Sequence, residues 1–137
     1  MSVPKPLRSE SKLEAQVATE NMIIHTVKIT SNPNVFRPEY SAVTNRVIDC
    51  AIGIGQDMWE ANGIRVGNDP EKWRIRSGLQ ERACRHFDDL LYLITLCKRT
   101  FHLRSSKFGH WVELVTRARD LARAWRDSDK KRYGHLG

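Results

Sequence analysis

Residues 111–134 read WVELVTRARDLARAWRDSDKKRYG, and how this stretch divides between core and surface decides the fold. On a helical wheel of about 100° per residue, Trp111, Leu114, Ala118, Leu121, Ala122 and Trp125 gather on one side. Glu113, Asp120 and Asp127 lie nearly opposite. Arg119, Arg123, Arg126 and Lys130 follow the spacing i, i+4, i+7, i+11, which makes one column beside the apolar side. Lys131 and Arg132 prolong the charge where a helix C-terminus favours cations. The stretch therefore predicts an amphipathic helix from about Lys107 to Tyr133, capped by Ser105 or Ser106 and stopped by Gly134.

The same period of three and four recurs upstream. Leu79, Ala83, Phe87, Leu90, Ile94, Cys97 and Phe101 predict a helix over about Pro70–His102, opened by Asp69 as N-cap and Pro70 in the first turn. Gly78 implies a looser lead-in to it. Tyr40, Val43, Val47, Cys50, Ile54, Met58 and Ala61 predict another over about Glu39–Ala61, ended by Asn62-Gly63. Gly53 and Gly55 within it each cost up to about 1 kcal/mol relative to Ala, which close approach of a neighbouring helix would offset. Ser11 and Glu14 form a capping box for a first helix whose apolar stripe is Leu13, Val17, Ile24 and Val27. No period-2 alternation of useful length is present. The expected fold is all-α, an up-down-up-down antiparallel four-helix bundle over residues 11–134. Residues 1–10 are expected to be a disordered lead-in and residues 135–137 a tail.

The chain has 137 residues, which suits one domain. Lys plus Arg number 23 against 16 Asp plus Glu, a formal net charge of +7. From Lys98 to Arg132 eleven Lys or Arg face four Asp or Glu, so that half alone accounts for the surplus. Such a surplus favours a polyanion. Arginine prevails over lysine there, and its planar fork suits bidentate contact with phosphate. The expected nucleic-acid-binding residues are Arg119, Arg123, Arg126, Lys130, Lys131 and Arg132, with Arg74, Arg76, Arg82 and Arg85 as a second, more scattered strip. The competing reading of the column is a solvated face laced with ion pairs to Asp120 and Asp127.

Chemistry is not expected. The chain has no Glu-x-x-His for a di-metal carboxylate site, no phosphate-binding loop and no nucleophile elbow. His86 with Asp89 is a lone pair of residues and reads as surface or cap. Cys50, Cys84 and Cys97 fall in apolar patterns and read as inert thiols in a reducing cytoplasm, which leaves no role for Cys97 and His102 as nucleophile and base. No metal or other cofactor is expected, and no apolar run reaches membrane-spanning length. Trp111 and Trp125 read as core, whereas Trp59 and Trp73 flank a connector and suit rim packing, an interface or base stacking.

Two segments, YSAVTNRVIDCAIGIGQDMWEAN (40–62) and LQERACRHFDDLLYLITLCKRTFHLRSSKFGHWVELVTRARDLARAWRDSDKKRYG (79–134), resemble a family of small bacterial four-helix bundles. That family includes the ribosomal-RNA intervening-sequence proteins and the accessory variability determinants of diversity-generating retroelements. The arginine-rich character resembles the second branch more. The resemblance implies a non-enzymatic homopentamer that binds RNA, or cDNA or single-stranded DNA, and partners a reverse transcriptase as it copies its template RNA mutagenically. The intervening-sequence branch implies instead a protein-interaction bundle with no such partner.

Overall fold

A computed structural model describes the backbone of residues 5–137 and the side chains of residues 12–137. Four α-helices pack together: α1 (Lys5–Thr30), α2 (Ser41–Gly63), α3 (Pro70–Phe101) and α4 (Ser105–Tyr133). There is no strand among the described residues. α1 and α3 each pack against both α2 and α4, so the apolar stripes close on one shared core. No helix among the described residues is long and apolar enough to cross a membrane.

Helix ends follow local chemistry. Asp69 Oδ1 accepts the backbone N–H of Glu71 at 2.9 Å and of Lys72 at 3.4 Å, and Pro70 stands where no donor is needed. α3 runs unbroken through Gly78, without the looser lead-in expected there, and stops at His102, whose φ of 53° is left-handed. Ser105 and Ser106 do not cap α4; both lie inside its first turn, Arg104 is the N-cap residue, and no side chain caps it. Gly134 closes α4 with a right-handed φ of −59° and leads into a short 3-10 turn. A 3-10 turn over Pro38–Tyr40 precedes α2. α1 begins ahead of Ser11, because a proline in the first turn is compatible with a helix. Residues 1–4 of the expected lead-in, and the Ser11 side chain of the expected capping box, lie outside the described residues.

α1 overturns its expected stripe. Leu13, Val17, Ile24 and Val27 are exposed, Leu13 by 62%. The buried face is Ala15, Thr19, Met22, Thr26 and Thr30 instead. The inward face is small apart from Met22, and it lies against the core that α4 fills with Trp111, where short side chains pack beside the large ring. Two of the threonines enter at low cost, since Thr26 Oγ1 donates to Met22 O at 2.9 Å and Thr30 Oγ1 to Thr26 O at 2.7 Å, whereas the buried Thr19 hydroxyl has no partner among the described residues. Thr26 Oγ1 also accepts the Trp111 indole N–H at 2.9 Å. Phe36, in the α1–α2 connector, seals this end of the core at 4.5 Å from Phe101 and 6.2 Å from Trp111, ring centre to ring centre.

Of the two helix glycines, Gly55 has the expected close neighbour: a Cβ there would stand 2.5 Å from Ile23 Cδ1 of α1. Nothing in the structure explains Gly53, where a Cβ would meet open space. Trp111 and Trp125 are buried as expected; Trp73, read with Trp59 as a rim, interface or stacking residue, is buried too and packs on Tyr133 at 5.6 Å, whereas Trp59 is 77% exposed.

Candidate nucleic-acid interface

The column on α4 exists, but its charges are matched. Asp88 of α3 accepts from Arg119 at 3.4 Å and from Arg123 at 3.2 Å. Glu81 of α3 lies 3.5 Å from Arg126 and 3.0 Å from Lys130. Asp120 and Asp127 add contacts of 3.3 Å to Arg119 and 3.1 Å to Arg126. Four cations thus meet four carboxylates in a band between α3 and α4. Each exposed pair is worth about 0–1 kcal/mol, so the band is weakly held. Its net charge is nonetheless zero, and a band with no net charge has little long-range pull on a phosphate backbone.

The second strip is also occupied. Arg76 is buried rather than exposed: its Nε donates to Asp129 Oδ2 at 2.8 Å and its Nη1 to Ile64 O at 2.9 Å. Gln80 Nε2 donates to the same carboxylate oxygen at 2.7 Å, and the Arg76 guanidinium lies 5.1 Å from the Trp125 ring centre. Arg82 grips the buried Asp57 through Nε at 3.0 Å and Nη2 at 2.6 Å. His86 Nδ1 stands 3.7 Å from Asp57, not in a pair with Asp89. Arg74 pairs with Glu71 on its own helix. Of the ten expected binding residues, Arg85, Lys131 and Arg132 remain without an ion pair among the described residues; Arg132 instead lies 4.9 Å from the Tyr133 ring centre.

With the band neutral, cations unpaired among the described residues gather in two groups near the ends of α3, with Arg46, Arg85 and Arg117 standing singly between them. One group surrounds the α3–α4 turn. Arg99, Arg104 and Lys107 are exposed, with no ion pair among the described residues. Lys107 shares a cleft with Lys28, His25 and His110, whose rings meet edge to face at 5.1 Å. Burial, then the neighbouring His110, pushes the His25 pKa down. The other group, Lys12, Arg65 and Arg132, surrounds the α2–α3 connector. The 32 residues of α3 separate the two groups by about 48 Å of helix.

Sequence reasoning passed over Lys12, Lys28, Arg65, Arg99, Arg104 and Lys107, because it followed one helix rather than the turns. A signal was present: residues 98–107 hold Lys98, Arg99, Arg104 and Lys107 with no acidic residue. Another signal warned of the matched band. Glu81 and Asp88 are seven apart on α3, as Arg119 and Arg126 are on α4.

The thiols are poorly placed for chemistry. Burial pushes Cys97 up to about 11, so it is a neutral thiol at pH 7. Burial, then the Asp89 charge, takes Cys50 to about 11 as well, and burial raises Cys84. No group of three or more His, Cys, Asp or Glu among the described residues could hold a metal ion.

No family model, no curated protein and no solved structure matches this chain.

Proposed function

We propose that this chain is a basic, non-enzymatic, oligomeric nucleic-acid-binding bundle, with helices in up-down-up-down antiparallel order. In this reading it assists a retroelement reverse transcriptase in using its template RNA during mutagenic copying. The polymerase partner, the homopentamer and the cytoplasmic setting rest on the family resemblance and the sequence. Contacts from Gln16 to Met58, Arg82 to Asp57 and Arg76 to Asp129 support the helix order. The observation that carries nucleic-acid binding is the unpaired cation group at the α3–α4 turn, Lys28, Arg99, Arg104 and Lys107. Unpaired surface cations gain most from releasing the counterions of a nucleic acid.

The test is fluorescence anisotropy with a structured RNA at several salt concentrations. Three or four phosphate contacts at about −0.7 to −0.9 each give a log–log slope of about −2 to −4. Replacing Arg99, Arg104 and Lys107 together by Gln is expected to remove about 2–3 from the magnitude of that slope. Arg119→Gln with Arg123→Gln is expected to change it by less than about 1, because those charges are already matched. Affinity indifferent to salt rejects the reading.

One observation favours a second reading, a protein-interaction bundle without a polymerase partner. Leu13 and Ile24 of α1 line an open apolar cleft with the exposed Trp59 of α2. Apolar side chains grouped on a surface mark a contact with another protein surface. Light scattering separates the two readings: an oligomer that Ile24→Ser with Trp59→Ser dissociates assigns the cleft to the ring of the first reading. A wild-type chain that is strictly monomeric removes the ring and leaves this second reading.

A further inference from the structure

The α2–α3 connector closes over an open cleft of about 880 Å³, bounded by α1 on one side and by the last turns of α4 on the other. Its volume lies in the range of small-molecule sites, about 300–1,000 Å³. Lys12, Arg65, Arg76 and Arg132 line it, with Asp129 as the carboxylate among its lining residues. Asp129 is already committed to Arg76 and Gln80, so that pair cancels. Lys12, Arg65 and Arg132 have no ion pair among the described residues. The carbonyl ends of α2 and α4 also reach the cleft and contribute about −0.5 each. Three cations against roughly one opposing charge leave a field of about +2 within one concavity.

The cations also act on one another. Burial pushes the Lys12 ammonium pKa down; Arg76, Arg132 and Arg65 push it the same way, against Asp129. Like charges held around one cleft are repaid when an anion enters. A phosphate monoester carries about −1.5 to −2 at pH 7, which matches that field. A diester carries one charge, and a diester backbone is tracked by cations in a groove rather than around a single concavity.

We infer that the cleft between α1, the α2–α3 connector and the end of α4 binds a phosphate monoester dianion, of the kind that ends a nucleic-acid strand. Lys12, Arg65 and Arg132 are the contacts, and Arg76 is a positioning residue that fixes Asp129 and Ile64 behind them. Identifying the ligand as a strand end rests on the nucleic-acid reading above; the dianion site does not.

The experiment compares one oligonucleotide carrying either a 5′-phosphate or a 5′-hydroxyl, by anisotropy, with the full chain. The phosphorylated form is expected to bind about tenfold tighter, the equivalent of one charge-assisted hydrogen bond. Lys12→Gln with Arg132→Gln is expected to abolish that difference, with helicity unchanged by circular dichroism, whereas Arg117→Gln, an exposed cation elsewhere on α4, preserves it. In parallel, inorganic phosphate is titrated while the Trp125 indole N–H resonance is followed, since Trp125 lines the cleft. A phosphate-dependent shift, lost in the double variant, with no preference for the phosphorylated strand supports the dianion site and assigns it to a free phosphate compound. The same shift with no oligonucleotide binding at all overturns the nucleic-acid reading and leaves the site standing. Equal affinity for both strands together with no shift in phosphate overturns the site and leaves nucleic-acid binding standing.

Discussion

Asp129→Ala is expected to remove about 3–5 kcal/mol of stability, measured by urea denaturation, because it strands a buried charge. The side chains of Arg76 and Asp129 are 7% and 6% exposed, and their N–O distance is 2.8 Å. Without the carboxylate, the Arg76 guanidinium keeps only Ile64 O as a hydrogen-bond acceptor, and Gln80 Nε2 loses its partner too. A domain of this size is stable by about 5–15 kcal/mol, so the loss is a large share of the whole. The double variant Arg76→Met with Asp129→Leu separates the two possible origins. A buried ion pair replaced by apolar groups of similar volume is often neutral or better, so most of the stability should return. If Asp129→Ala unfolds within about 1 kcal/mol of the wild type, water reaches Arg76 and the pair is not a buried one.

Trp111→Ala is expected to cost a similar amount, about 3–5 kcal/mol, for a different reason. Trp111 is fully buried between Phe36 and the threonine face of α1, and a methyl group leaves a cavity that short side chains cannot fill. Trp111→Phe is expected to lose less, about 1–2 kcal/mol, since most of the ring volume stays while the indole N–H bond to Thr26 goes. Thermal or urea denaturation of both variants checks this. Equal losses for Ala and Phe would mean that the hydrogen bond, not the packing, carries the cost.

The helical stripes were legible to different degrees. α3 and α4 announce their buried faces through large apolar residues three and four apart, and Ala83, Phe87, Leu90, Ile94, Trp111, Val115 and Trp125 are buried as that spacing requires. α1 misled the same rule. Leu13, Val17, Ile24 and Val27 face outward, while Thr19, Thr26 and Thr30 face inward beside Met22. Periodicity weighs residues by hydrophobicity, but a core also weighs them by size, and Thr26 and Thr30, small and bonded to their own helix, fit the tryptophan-filled core.

The candidate site shows the same division. Local spacing correctly drew a column of Arg119, Arg123, Arg126 and Lys130, since a helix sets which residues share a side. Spacing within one helix says nothing of the carboxylates that another helix brings against it. Docking α3 on α4 matched that column with Asp88 and Glu81, and drew Arg76 into the interior beside Asp129.

Residue order alone therefore dictates the helical class, the limits of α2, α3 and α4 to within a few residues, the cap at Asp69 and the excess of positive charge. Each is a property of a single helix or of a sum over the chain. Which cations are free to meet a phosphate emerged only on folding, because an ion pair depends on distances between segments that are far apart in the chain. The groups at the α3–α4 turn and the α2–α3 connector stand out because the docking of α3 on α4 gave the column on α4 its carboxylate partners and gave these cations none.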